Sequence, residues 1–268
     1  MDYLVDTHVH IYPFYDAGKA LASSIENMAG QRGRRVARVA CLTERFDCFL
    51  FDEIRSEANA PVNATFEIEP RTPSLLKLRS KASGDTIFLA AGQQVITAEN
   101  IEILSLGTEK RVPEGESAVD TVRNVIEANG LPVVAWAPGK WFFKRGDVVR
   151  NLLREFSPRQ LALGDTSLRP LGWLLPRIMR EAAAQGFRIL AGSDPLPHPA
   201  EEVRPGSYYT QIEGLSGEVE ALFSEMLAMP PSRLRSRGRR SWPSTVARRI
   251  FAYKSWSKRR KTVDSPMN

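Results

Sequence analysis

The chain has 268 residues, enough for one α/β barrel domain of about 250 residues. Its hydrophobic content of 43% and charged content of 25% are typical of globular proteins and exclude a disordered or fibrous chain. No apolar run approaches the roughly 18 residues that a transmembrane helix needs, and the first residues lack the features of a secretory leader. Cys41 and Cys48 are too few for a disulfide framework, so we expect a cytoplasmic protein.

The net charge of +6 hides an uneven distribution of charge along the chain. Residues 232–261 contain 12 Lys and Arg residues and no acidic residue, whereas the rest of the chain contains 25 basic and 31 acidic residues. Such an asymmetry indicates a basic tail on an acidic body. We therefore expect a barrel domain over residues 1–230 and a basic, partly helical or disordered tail over residues 231–268.

Short apolar segments alternate with helical segments through most of the chain. In chain order, the pattern predicts strands at 3–8, 35–42, 62–68, 86–91, 94–97, 101–106, 132–137, 160–164 and 187–191. It predicts helices at 18–31, 46–57, 117–129, 147–156 and 171–185, the third with Ser117 as its N-cap. This alternation predicts a mostly parallel α/β sheet wound by helices, either a barrel or an open doubly wound sheet.

Polar residues at the ends of the predicted strands favour the barrel. In α/β barrels, functional groups collect at the carboxyl ends of the strands. The strand ends of this chain carry groups of that kind, namely His8 and His10, Thr43-Glu44, Gln93-Gln94, Trp136, Asp165-Thr166-Ser167 and Ser193-Asp194.

Two of the three histidines lie in the sequence Asp6-Thr7-His8-Val9-His10, directly after an apolar strand. Residues i and i+2 of an extended chain point the same way, so both imidazoles can reach one ion. The alternative is that one or both are ordinary, half-buried polar residues. Their place at a strand end favours metal ligation.

A second polar group follows the predicted strand 187–191, where Gly192-Ser193-Asp194 precedes His198 by a few residues. A carboxylate at the end of a late barrel strand can bind a metal ion or act as a general base toward water. The alternative is that Ser193 and Asp194 cap the turn that follows.

Together the two motifs resemble the polymerase and histidinol phosphatase (PHP) family. Segments 91–95, 100–107 and 132–139 also resemble, in the same order, the family's Pro-Gly-x-Glu-Ile, Leu-Leu-Gly and Ala-His-Pro segments. The resemblance covers residues 1–199. It implies a distorted, seven-stranded, TIM-like β/α barrel and phosphoester hydrolysis on two or three metal ions.

Several positions depart from the family's pattern. Glu44 and Arg45 stand where the family has Asp-His, and the neutral Gln94 stands where it has a bridging Glu. Trp136 falls near the position of a metal-binding His, and His198 lies four residues after the matched aspartate rather than two. These departures argue against a cluster of three metal ions.

We expect one divalent ion, zinc, manganese or iron, because imidazole and carboxylate groups suit all three. Only His8, His10 and Asp194 match the family's ligands residue by residue. The remaining candidates replace a family ligand or match it loosely. The candidate ligands are His8, His10, Asp194, Glu44, Gln94 and His198.

Other residues are candidates for proton transfer and substrate binding. Glu44 or Asp165 would assist Asp194 in proton transfer, although Asp165 also suits the cap of a following helix. Arg45 would hold a phosphate, or else pair with nearby acids and mark an inactive site. Trp136 lies at a predicted strand end and Lys140 lies in the loop after it. Both would contact a small phosphorylated or anionic substrate.

The basic tail contains a predicted amphipathic helix at 244–261, with aromatic residues among its cations. Residues 232–261 would therefore suit the anionic inner face of a membrane, and nucleic acid is the less favoured partner. The alternative is a helix that closes the bottom of the barrel. The residues between 230 and 240 read as a linker.

Three functions remain open at this stage. The first is a metal-dependent hydrolase of phosphoesters, which the intact His8, His10 and Asp194 favour. The second is a catalytically degenerate domain that binds a ligand or a protein, which the substitutions at Gln94 and Trp136 favour. The third is a peripheral membrane component whose tail is its working part.

Overall fold

The computed structural model describes residues 1–29, 36–56, 60–215 and 217–263, with side chains up to Lys258. Predicted element ends at residues 30, 31, 35 and 57 lie outside these ranges, as do the tail side chains beyond 258. The described strands, in chain order, are β1 (Asp2–Val9), β2 (Val36–Leu42), β3 (Phe66–Thr72), β4 (Leu75–Ser80), β5 (Thr86–Ala90), β6 (Gly92–Ile96), β7 (Glu102–Leu106), β8 (Leu131–Ala135), β9 (Ala162–Thr166), β10 (Ile189–Gly192), β11 (Tyr208–Ile212) and β12 (Leu234–Gly238).

The described helices pack against these strands and confirm the α/β class. Ser117 caps its helix as expected, because its hydroxyl accepts the backbone N–H of Asp120. The helices are α1 (Ala17–Asn27), α2 (Leu50–Arg55), α3 (Ala118–Glu127), α4 (Lys144–Glu155), α5 (Arg177–Ala184), α6 (Leu222–Ala228) and α7 (Pro243–Val263). Within the described part of the chain, none of them is long and apolar enough to cross a membrane.

The strands form two mixed sheets. The first has the order β12-β11-β1-β2-β5-β4-β3, and the second has the order β10-β9-β8-β7-β6. Parallel pairs join β1 to β2, β2 to β5, β8 to β9 and β9 to β10, and the other pairs are antiparallel. β1 lies inside the first sheet and contributes to two apolar clusters, with Leu4 in one and Tyr3 and Val5 in the other.

A closed barrel, as the sequence predicts, is not formed by continuous strand pairing among the described residues. The two sheets meet instead at two narrow seams. At one seam, Glu44 forms an isolated parallel bridge to Gln93. At the other, the backbone N–H of Asp194 donates to the carbonyl of His8 at 2.9 Å. The site residues of β1 and β10 lie at this second seam.

Some predicted boundaries differ from the structure. The helix expected at 171–185 begins only at Arg177, because Pro176 has no N–H to donate and disfavours helix in the residue before it. The strand expected at 62–68 begins at Phe66. β4, β11 and β12 were not predicted, and β12 lies where a linker was expected.

The basic tail helix α7 packs on the rest of the chain. The guanidinium of Arg249 is buried and contacts both carboxylate oxygens of Glu201 at 2.6–3.0 Å. The same group donates to the hydroxyl of Ser167 at 3.1 Å, just after β9. The ring of Trp256 lies 4.6 Å from that of Phe14. α7 therefore covers the strand ends that carry the candidate site.

Candidate metal centre

His8 and His10 project to the same side at the carboxyl end of β1, as alternation along an extended strand requires. Both side chains are buried, and their Nε2 atoms lie 3.0 Å apart. The Nε2 atom of His8 is also 3.1 Å from Oε1 of Gln94 on β6. Three predicted ligands are thus brought together from two sheets.

Asp194 completes this group from the end of β10. Its Oδ1 atom lies 3.6 Å from Nε2 of His8 and 3.9 Å from Nε2 of His10. The residue has a φ of 48°, a left-handed conformation that is uncommon outside glycine. Close contact between the two strands is possible because Gly192 has no Cβ, since a Cβ there would collide with His8.

Burial sets the protonation of this group. It lowers the pKa of His10 well below the usual value, and the adjacent His8 ring lowers it further. Burial raises the pKa of Asp194, and His8 partly offsets this effect. His10 is therefore held as the neutral imidazole, which is the form that binds metals.

The spacing of these ligand atoms fits one metal ion. Within the described residues, His8, His10 and Asp194 are the group of His, Cys, Asp or Glu side chains whose ligand atoms converge, all within 4.8 Å. Ligand atoms at 2.0–2.2 Å from a tetrahedral ion lie roughly 3.3–3.6 Å apart. The observed spacings of 3.0, 3.6 and 3.9 Å span this range. The three side chains could hold a metal ion, with the Gln94 oxygen next to them.

Glu44, a predicted ligand and proton acceptor, is engaged elsewhere in the structure. One carboxylate oxygen accepts the backbone N–H of Phe51 at 3.0 Å, and the other accepts from the guanidinium of Arg111 at 2.9 Å. Burial raises the pKa of Glu44 to about 7, although Phe51 and Arg111 oppose the shift. Its role in catalysis stays a prediction.

Asp165 is also paired. It is fully buried within β9, and both of its oxygens accept from Arg169, at 2.8 and 2.6 Å. The hydroxyl of Tyr208 donates to it at 2.8 Å. The sequence signalled the carboxylate but not its partners, because Tyr208 comes from β11, which the sequence pattern did not predict.

His198 caps the turn of 3₁₀ helix at Pro199–Glu201. Its Nδ1 atom accepts the backbone N–H of Ala200 at 3.2 Å. Its ring lies edge-on to Trp256 of α7, with ring centroids 6.2 Å apart. The structure therefore places His198 under the tail helix and does not bring it into the group of converging ligands.

The predicted substrate-binding residues lie around the centre rather than in it. Arg45 lines a cavity of about 570 Å³ together with Tyr12, Tyr253 and Trp256. The ring of Tyr12 stacks on that of His10 at 5.5 Å, which connects this cavity to the ligand group. The last two aromatic residues come from α7, so the tail helix forms one wall.

Lys140 and Trp136 differ in how they relate to the centre. The ammonium of Lys140 pairs with Glu102 at 2.6 Å, and both groups are near enough to influence the pKa of Asp194. Trp136 is buried in an apolar cluster with Trp141 and lines a separate cavity. Lys140 is thus placed at the rim of the site, and Trp136 packs behind the loop.

Asp6 belongs to the centre although no role was predicted for it. Its Oδ1 atom accepts the backbone N–H of Ser193 at 2.8 Å and of His8 at 3.2 Å. Its Oδ2 atom accepts the backbone N–H of Gly206 at 2.7 Å. The signal in the sequence is the acid two residues before His8, on the same face of the strand.

No family model and no curated protein matches the chain. Two solved structures show a weak likeness. PsfC from Pseudomonas syringae PB-5123 is 14% identical, with a TM-score of 0.49, and the match covers 96% of this chain and 98% of that one. The lesion-specific endonuclease PfuEndoQ from Pyrococcus furiosus is 12% identical, with a TM-score of 0.47, over 84% of this chain and 56% of that one. Neither likeness assigns the chain to a family.

Proposed function

We propose that the chain is a metal-dependent hydrolase that acts on phosphoesters through one divalent ion. The observation that carries the proposal is the convergence of His8, His10 and Asp194 at the seam between the two sheets. A divalent ion bound there supplies Lewis acidity, which lowers the pKa of water and polarises a phosphoryl oxygen. Zinc, manganese and iron all suit this set of ligands.

The cavity beside the site supports an anionic substrate. Arg45 contributes a permanent positive charge to this cavity, where it pairs with Asp47 at 3.6 Å, and Tyr12 in the same cavity stacks on His10. Lys140, which is paired with Glu102, lies near Asp194 as well. These groups would orient a phosphate against the ligand group, with Tyr253 and Trp256 forming one wall of the cavity.

The PHP-like barrel is part of the proposal. β1 and β2, joined through the Glu44–Gln93 bridge to β6–β10 and back to β1 through Asp194 and His8, would make a ring of seven strands. The ring is interrupted at the two seams, as a distorted barrel would be. The resemblance to that family rests on the sequence motifs.

A second candidate is a domain that binds a ligand or a protein without turnover. The observation that favours it is the pairing of both predicted proton-transfer residues. Glu44 is bound by Arg111, and Asp165 is bound by Arg169. Oxygens of both carboxylates are thus taken up by contacts with the two guanidinium groups.

Metal content tests the proposal. The purified chain is loaded with zinc, manganese or iron, dialysed and measured by elemental analysis. We expect about one ion per chain for the wild type and His198→Ala, because His198 lies outside the group, and almost none for the His8→Ala/His10→Ala variant. No stoichiometric metal in the wild type would overturn the proposal.

Turnover separates the two candidates. A panel of phosphomonoesters and phosphodiesters is assayed with the metal-loaded wild type and with Asp194→Asn, which weakens one ligand. Hydrolysis by the wild type that falls at least about 100-fold in the variant supports the hydrolase. Metal binding without hydrolysis of any ester supports the binding domain.

A further inference from the structure

An exposed apolar patch lies on loops that follow β8 and β9 and precede α7. Phe143 is 92% exposed, Leu174 is 77% exposed and Trp242 is 67% exposed. Large apolar side chains with such exposure are unusual on a monomer unless they serve an interface. Half of the twelve most exposed large hydrophobic residues in the described chain belong to this patch, which comprises Phe142, Phe143, Leu171, Trp173, Leu174 and Trp242.

These side chains form one surface although they come from three segments. Phe142, Trp173 and Leu174 line a single cavity of about 320 Å³. The backbone N–H of Leu171 donates to the carbonyl of Ser241 at 2.8 Å, next to Trp242. The shared cavity joins the first two segments, and this hydrogen bond joins the second to the third.

The surroundings of the apolar patch are strongly cationic. Segments 139–150, 169–180 and 238–242 contain nine Lys and Arg residues and a single acid, Asp147. Four of the nine pair with acids in or near the segments, namely Lys140, Arg150, Arg169 and Arg177. The other five leave a net positive rim, and they are Lys144, Arg145, Arg180, Arg239 and Arg240.

We propose that the apolar patch docks the protein onto an anionic lipid surface. Phenylalanine, tryptophan and leucine are the side chains that enter the boundary between headgroups and acyl chains, and nearby cations attract anionic headgroups. Phe143 is suited to insertion because it projects into solvent from a backbone with a φ of 54°.

The charges and the aliphatic residues select this partner. A second copy of the chain would bring two cationic rims together without acids to match them, which like-charge repulsion opposes. Single-stranded nucleic acid would use the aromatic rings and the arginines but would gain little from Leu171 and Leu174. A lipid surface would interact with the aromatic rings, the leucines and the cations together.

The docking surface differs from the tail face that the sequence suggested. On α7, Val246 is buried and Trp256 packs against Phe14, so these apolar groups serve the interior. From residues 232–261, only Trp242 among the large apolar side chains belongs to the apolar patch. The loops after β8 and β9 supply the rest, at the same strand ends as the candidate metal centre.

Vesicle sedimentation tests the proposal with the full chain. Vesicles of phosphatidylcholine with about one-third phosphatidylserine are compared with pure phosphatidylcholine, at low and high salt. We expect binding to the anionic vesicles that weakens with salt. Phe143→Ser and Phe142→Ser/Phe143→Ser should reduce the partition coefficient at least about tenfold, because burial of one such ring is worth that much.

Matched controls distinguish the apolar patch from exposed aromatic residues elsewhere. Phe46→Ser and Phe251→Ser remove rings that are 60% and 72% exposed, and both variants should bind like the wild type. Circular dichroism checks that each variant is folded. Because Phe143 is almost fully exposed, Phe143→Ser should leave the fold intact. No preference for anionic vesicles, or equal losses in the controls, would overturn the proposal. Binding of a single-stranded oligonucleotide that depends on Phe143, without vesicle binding, would also overturn it.

Discussion

Asp6 holds in register the two strands that carry the candidate metal ligands. Its carboxylate accepts backbone N–H groups from His8, on its own strand, and from Ser193, beside Asp194. A third N–H comes from Gly206. Burial still raises the pKa of Asp6 to about 6 despite these three donors. A buried acid with this many partners acts as a positioning residue for the ligands that follow it.

Glu44 should make the stability of the folded chain decrease as the pH rises. Folding raises its pKa from 4.5 to about 7, so the folded state binds the proton more tightly than the unfolded state does. The stabilisation from the protonated group is complete below pH 4.5 and is lost as the pH rises through 7. The ionised carboxylate is buried, and Arg111 compensates only part of its desolvation.

Replacement of Glu44 by glutamine should remove this pH dependence. Between pH 4.5 and pH 8, the free energy of unfolding of the wild type should fall relative to that of the variant, by an amount on the order of 3 kcal/mol. Urea unfolding at several pH values, with a chelator present, measures this difference. Glu53→Gln, on the exposed side of α2, is the control and should give a constant difference. The same constant difference for Glu44→Gln would contradict the assigned pKa.

The sequence locates some of these residues and misplaces others for a physical reason. His8 and His10 can be predicted as neighbours because their spacing along one strand fixes their relative direction. Glu44 follows a strand end as well, but its side chain turns toward Arg111, which lies 67 residues later. No local pattern encodes that contact.

Among the elements, α7 lies where the sequence predicts a helix, at 244–261, but the sequence leaves open whether that helix packs on the rest of the chain. Its cations suggested a solvated or membrane-bound tail, and Arg248, Lys254 and Lys258 do face solvent. Arg249 is an exception because Glu201, 48 residues earlier, is buried with it. A buried arginine cannot be told from an exposed one by composition. β12 was also missed because of its arginines. They read as a charged linker, but edge strands commonly carry such charges.

Replacement of Arg249 by alanine should destabilise the fold. The change leaves the buried carboxylate of Glu201 without its cationic partner, although the backbone N–H of Leu196 still donates to it at 3.3 Å. Loss of the cation costs about 3–5 kcal/mol in comparable buried pairs. Urea unfolding followed by tryptophan fluorescence measures the free energy of unfolding. Arg248→Ala, the exposed neighbour on the same helix, should change it by about 0.5 kcal/mol or less. Equal effects of the two changes would show that α7 does not pack on Glu201.

At the scale of the whole molecule, the two sheets meet at two seams, and the candidate metal centre lies at the seam between β1 and β10. β1 belongs to the first sheet, and Asp194 follows β10 of the second. The sequence predicts the alternation of strands and helices that makes each sheet. It does not predict where the hydrogen-bonded pairing of strands is interrupted. That depends on β4, β11 and β12, which the sequence pattern does not predict and which extend the first sheet.

An ion held by His8, His10 and Asp194 would join the two sheets across this seam. Metal should therefore raise the free energy of unfolding, by about 2.7 kcal/mol at a free concentration 100 times the dissociation constant. Chemical denaturation at increasing zinc concentration measures this gain. His8→Ala/His10→Ala should show no dependence on zinc, and a parallel response of both proteins would exclude a contribution from the site.

If the seam holds an ion as proposed, it also ties the lifetime of the protein to the supply of metal. The side chains of residues 8 and 194 meet only in the folded chain, so metal uptake and folding would be one coupled equilibrium. Under metal starvation, the apo protein would open more often along the seam and expose its strands to proteases. A cell that lacks the ion would then lose the polypeptide itself, and not merely whatever activity the ion confers.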